Sequence, residues 1–187
     1  RLDKSCARIA TWSRQFEAID KGNPALSFIR GLQICSQHVV ACTCLGIYRA
    51  AASSIRGIVE NGLYYSYFRL HPAELATLVR DGSYYLSRGD LVDYHKTHTP
   101  KFKELQNILG LLGRLDEWYK RISSVVHGQI PGKWVEHTSL SGIIAHTDTL
   151  EIVVKEFEDA EQILHDLFLI TVGKAHWDSF SLKAKKS

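Results

Sequence analysis

The chain has 187 residues, 45% of them apolar and 23% charged. That balance belongs to a folded globular domain and excludes disorder as the main state. Thirteen Gly and four Pro exclude a collagen-like or low-complexity chain, and a net charge of +3 is too small to mark a nucleic-acid binder by itself. The charge is unevenly spread. Residues 1–127 hold 17 Lys and Arg against 11 acids, and residues 128–170 hold 2 against 8. One positive face that attracts phosphates is the sharper reading, and a solvated acidic helix with a basic tail is the plainer one.

Residues 2–20 carry Cys6, Ile9, Trp12, Phe16 and Ile19 at spacings of three and four, which predicts an amphipathic helix. Lys21-Gly22-Asn23-Pro24 stops it and starts the next. An apolar helical pattern then runs over 25–68, with a break expected at Gly46 or at Ser53-Ser54. His71-Pro72 ends it, because the residue before Pro resists helix. Helices follow over 73–80, 86–98 and 101–112. Leu115, Trp118, Tyr119, Ile122, Val125 and Val126 make another apolar face, stopped by His127-Gly128. Residues 129–149 read as loop, with a small hairpin pairing Trp134-Val135 with Ile143-Ile144 as the one strand candidate. A long amphipathic helix occupies 150–173.

Six or seven helices without a larger sheet define an all-α helical bundle. It is expected as one domain over 1–187, with a core at about 25–168 and a flexible basic tail at 175–187. The most apolar stretch, residues 39–48, is ten long, against about 20 for a bilayer span, so no membrane partner is expected. Cys6, Cys35, Cys42 and Cys44 with no visible secretory pattern point to a reduced, cytoplasmic protein.

The main chemical candidate is Arg121-Ile-Ser-Ser-Val-Val-His127-Gly128. A His moves protons near neutral pH, and an Arg holds a phosphate bidentately and stabilises charge developing on it. Six residues apart, the two lie about 120° apart on a helix. Ser123 and Ser124 precede His127 by four and three residues, within reach of orienting it. Spacing alone fits equally a surface Arg and a His at a helix C-terminus, and Arg88 with His95 offers a second such pair.

A second constellation, Arg56, Glu60, Tyr64 and Tyr67 followed by His71-Pro72, recurs on one helix face. It reads as an ion pair with packed tyrosines, or as a Glu that positions a catalytic Arg or His. Cys35, His38 and Cys42 have helical spacing but read as core rather than as a metal site, and no companion acid turns Tyr94–His98, His137 or His146 into ligands. No phosphate-loop, dinucleotide or nucleophile-elbow signature occurs, so no cofactor is called for.

Taken together, Arg121…His127-Gly128, its context Tyr119-Lys-Arg-Ile-Ser-Ser-Val-Val-His-Gly, and the upstream Arg56-x3-Glu60…Tyr67…His71-Pro72 helix resemble the HEPN superfamily over about residues 25–168. The resemblance implies an all-α domain that commonly forms a homodimer. Its active members are metal-independent endoribonucleases of toxin–antitoxin and anti-phage defence systems. Arg121 would then stabilise the phosphate and His127 transfer protons, with Arg56, Glu60, Ser123, Ser124 and Tyr67 in support. The implied partners are an RNA substrate and an antitoxin or regulatory protein. A non-catalytic helical module that binds a partner protein or nucleotide is the other reading.

Overall fold

The computed structural model describes residues 1–130, 132, 134, 139–182 and 185. Among them the chain is all-helical. In chain order the helices are α1 (Leu2–Ile19), α2 (Leu26–Cys44), α3 (Tyr48–Phe68), α4 (Pro72–Arg80), α5 (Arg88–His98), α6 (Phe102–Leu109), α7 (Leu111–Val126), α8 (Thr147–Val172) and α9 (Lys174–Ser179). A 3-10 turn, Leu140–Gly142, precedes α8. The all-α bundle read from the sequence is the fold, with more helices than the six or seven expected.

The additional helices have local causes. The long apolar run breaks at Gly46, which takes φ +72°, and not at Ser53-Ser54. The two serines stay helical, their hydroxyls donating back to the carbonyls of Arg49 and Ala50. Past Gly173 the chain turns into α9 rather than running on as a tail. The rings of Trp177 and the buried Phe180 lie 5.9 and 5.3 Å from that of Trp12. The hairpin does not form among the described residues: Trp134 sits in a turn, Ile143-Ile144 carries no strand, and Val135 lies outside those residues.

Helix α3 is the hub, packed against α2, α8, α7, α5 and α4. Its Ile55, Ile58, Val59, Leu63 and Phe68 are buried, as are Val153, Phe157, Leu164 and Phe168 of α8. Burying a side chain of this kind is worth about 1.5–3 kcal/mol, so the α3–α8 seam contributes substantially to the bundle's stability. Because α3 sits centrally with α7 beside it, the polar edge of α3 faces the C-terminal end of α7. No helix among the described residues is long and apolar enough to cross a membrane.

Candidate functional site

Helix α7 ends in a Schellman motif. The Gln129 N–H donates to the Ser124 carbonyl at 3.0 Å, and the Gly128 N–H donates to Val125 at 3.1 Å. Gly128 takes φ +61°, and a Cβ there would lie 2.7 Å from Arg49 Nη2. That guanidinium donates to the Val126 carbonyl at 3.1 Å. The glycine therefore serves both the left-handed turn and the close approach of Arg49, and the turn leaves His127 exposed at the helix end.

His127 meets α3. Arg56 Nη1 lies 2.8 Å from His127 Nε2. A guanidinium only donates, so Nε2 accepts and the ring proton belongs on Nδ1 in this arrangement. Arg56 Nε donates to Glu60 Oε1 at 2.8 Å, and the same oxygen accepts from the Tyr119 hydroxyl at 2.7 Å. Burial works against the charge of Arg56, but Glu60 outweighs it and holds the guanidinium above its ordinary pKa. Burial, then the bond to Glu60, pushes the Tyr119 hydroxyl up to about 12.

Arg88, the first residue of α5, completes the cluster. Its guanidinium lies 4.6 Å from the centroid of the Tyr119 ring, and that of Arg56 lies 4.8 Å away. Arg88 also donates to Asp116 at 2.7 Å. A capping box fixes its position: Ser87 and Asp90 exchange hydrogen bonds at the start of α5. Between α3, α5 and α7 lies a groove of about 250 Å³, lined in part by Arg56, Glu60, Tyr64, Tyr85, Arg88 and Tyr119.

Arg121 points the other way. Its guanidinium donates to Glu156 at 3.0 and 3.4 Å and to Asp159 at 3.4 Å, both on α8. Glu156 holds its pKa above the ordinary value. Arg121 lines a separate cleft of about 190 Å³ between α7 and α8, with Arg114 and Gln162. Within one chain, then, Arg121 and His127 face different helices, as a separation of six on one helix dictates.

The supporting candidates divide likewise. Arg56 and Glu60 join His127. Ser124 Oγ donates back to the Arg121 carbonyl at 2.7 Å, and Ser123 Oγ is buried with no hydrogen-bond partner among the described residues. Tyr67 lies eleven residues along α3 from Arg56, about 16 Å away. It donates to Glu74 at 2.6 Å and stacks on His71 with ring centroids 4.1 Å apart. Arg88 and His95 do not converge. His95 is buried between the Ser66 and Thr99 hydroxyls, each 2.8 Å away, and burial then the charge of His71 lower it to about 4.

Sequence reasoning missed Tyr119 and Arg88 as members of the site. Tyr119 stands in the sequence as part of an apolar face and of the motif's context, with no role of its own, and its partner Glu60 is 59 residues away, beyond any local spacing. Cys35 and Cys42 are half-buried thiols of α2. Among the described residues, no three His, Cys, Asp or Glu side chains are grouped so as to hold one metal ion. In comparisons with family models, curated proteins and solved structures, nothing matches this chain.

Proposed function

We propose that the chain is an endoribonuclease that cleaves RNA without a metal ion, with His127 as the proton-transfer group and Arg56 as the phosphate ligand. The observation that carries the reading is the 2.8 Å contact between Arg56 Nη1 and His127 Nε2 at an exposed helix end. A phosphate that draws the Arg56 guanidinium to itself releases the Nε2 lone pair. The freed Nε2 accepts the proton of the adjacent 2′-hydroxyl as its oxygen attacks phosphorus. Arg56 then stabilises the charge on the phosphoryl oxygens, and the imidazolium returns a proton to the leaving 5′ oxygen. The products are a 2′,3′-cyclic phosphate and a 5′-hydroxyl. DNA lacks the 2′-hydroxyl and is left uncut.

Glu60 and Tyr119 hold Arg56 in place. The HEPN resemblance supports the same reaction with His127 in the same role, but it implies Arg121 rather than Arg56 on the phosphate. It adds a homodimer, in which a second copy would bring the α7 ends together, and a toxin–antitoxin or anti-phage setting with a restraining partner. A non-catalytic module binding a protein or nucleotide has one observation in its favour: Glu156 and Asp159 occupy Arg121, half of the motif.

Cleavage of total RNA and tRNA in EDTA decides between them. The wild-type protein is expected to cut. His127→Ala and Arg56→Ala are expected to lose about 100-fold or more in rate, the scale of a lost proton-transfer or charge-stabilising group. Arg121→Ala is expected to lose less. An Arg121→Ala loss equal to that of His127→Ala, with Arg56→Ala unaffected, would return the phosphate role to Arg121. Silence from the wild type, with helical circular dichroism intact, would favour the binding module.

A further inference from the structure

We infer that the groove between α3, α5 and α7 is a subsite for one unpaired nucleobase, stacked on Tyr85, of a nucleotide whose phosphate lies on Arg56 and Arg88. The inference rests on reading the neighbouring Arg56–His127 pair as a phosphodiester site, and it names what that site selects.

The groove's lining is of two chemical kinds, charged and apolar or aromatic. Arg56 and Arg88 bring two guanidiniums over one ring, that of Tyr119. Glu60 offsets the first and Asp116 the second, through hydrogen bonds of 2.8 and 2.7 Å. Both arginines are partly open to solvent, with side chains 20% and 33% exposed. A phosphate reaching Arg88 replaces a solvent-exposed carboxylate as its partner, a modest exchange.

Much of the remaining lining is apolar and aromatic. Leu63, Tyr64, Leu86 and Leu91 all line the groove, and Leu63 and Leu91 are buried. Tyr85 stands at the rim, 74% exposed, with no hydrogen bond and no ring contact to another described residue. An exposed tyrosine ring in a lining that is otherwise largely apolar is available to stack on a planar ligand such as a base.

Size narrows the ligand. At about 250 Å³ the groove falls below the roughly 300–1,000 Å³ of drug-sized pockets. It suits a single ring system and excludes a folded RNA element. A base held in a duplex keeps its own stacking partners and does not enter, so the substrate is single-stranded at this position. Arg56 ties the two functions together, since one guanidinium reaches His127 through Nη1 and lines the groove.

The test is calorimetric titration of the full chain with AMP and with ribose 5-phosphate, which share the phosphate and sugar but not the base. Neither is cleavable by 2′-hydroxyl attack. AMP is expected to bind about tenfold tighter or more, the contribution of one base stack. Tyr85→Ala is expected to erase that difference and Tyr85→Phe to keep it. The exposed position of Tyr85 leaves the bundle intact in both variants. Equal affinities for the two ligands, or a base preference that survives Tyr85→Ala, overturn the subsite. A single-stranded oligoribonucleotide is expected to displace AMP; failure to displace it overturns the assignment to RNA. Cleavage assays on the same samples separate the two proposals. Base preference without RNA cleavage overturns the nuclease and leaves the subsite, and His127-dependent cleavage without base preference does the reverse.

Discussion

Arg56 has three partners at once: Glu60 through Nε, His127 through Nη1, and the face of Tyr119. Only a planar fork supplies that geometry, which is why Lys is no substitute at such a position. Glu60 sets the fork, because it accepts from both Arg56 and Tyr119. Glu60→Gln is therefore expected to lower kcat for RNA about 10–100-fold while leaving KM little changed, by analogy with groups that orient metal ligands. Steady-state kinetics check this, and a loss confined to KM would make Glu60 a binding residue instead. The Arg56–Glu60 pair was legible from its i, i+4 spacing. Its meeting with His127, 71 residues away, was not, because no local period connects α3 to the end of α7.

Helix boundaries follow local chemistry wherever glycine or a cap decides them. Gly46 separates α2 from α3, and Gly128 closes α7. The capping box that starts α5 stands in the sequence as Ser87-Arg-Gly-Asp90, so the helix begins at Arg88, two residues later than the start expected from apolar pattern alone. Helix crossings obey a different constraint. A Cβ on Gly62 of α3 would come within 2.1 Å of Leu164 Cδ1 on α8. Leu164 is 1% exposed and has no room to turn aside. Gly62→Ala is thus expected to destabilise the fold by about 1–3 kcal/mol through overpacking, against a gain of about 1 kcal/mol in helix propensity. Thermal unfolding measures the balance, and a raised midpoint would show that the seam has slack.

Across the whole molecule the uneven charge pairs off internally. Arg1 bonds to Glu151 and Glu158, Arg8 to Glu161, Arg114 to Asp166, and Arg121 to Glu156. The acids of α8 are therefore not a simply solvated face: Glu156, Glu161 and Asp166 are buried against arginines of α1 and α7. Burial raises Glu161 from 4.5 to about 7, although Arg8, 3.0 Å away, pulls it down. Arg114 and Asp166 also face this region, and Asp166 adds to the upward push. A carboxyl with a raised folded pKa binds more protons folded than unfolded between about 4.5 and 7, so its contribution to stability falls as pH rises through that window. His95, lowered to about 4, acts in the opposite sense, and its contribution grows as pH rises from about 4 to 6.5. The stability of wild type relative to Glu161→Gln is expected to drop between pH 5 and 7 by at most about 3 kcal/mol. Denaturant unfolding across pH checks it, and a difference independent of pH would show that Arg8 keeps Glu161 ionised throughout.

Most of the helices, their apolar faces and the His127-Gly128 stop were legible in the sequence. Those follow from spacings of three and four residues and from the conformational freedom of glycine, all local properties. The sequence also placed Arg56 and Glu60 on one face. Long-range packing selected which arginine meets His127, brought Tyr119 and Arg88 to the same groove, and anchored α9 on Trp12 through Trp177. Each of those outcomes depends on how helices distant in sequence pack, and the packing of α3 against α7 and α8 is set by the sum of many buried contacts rather than by any one spacing.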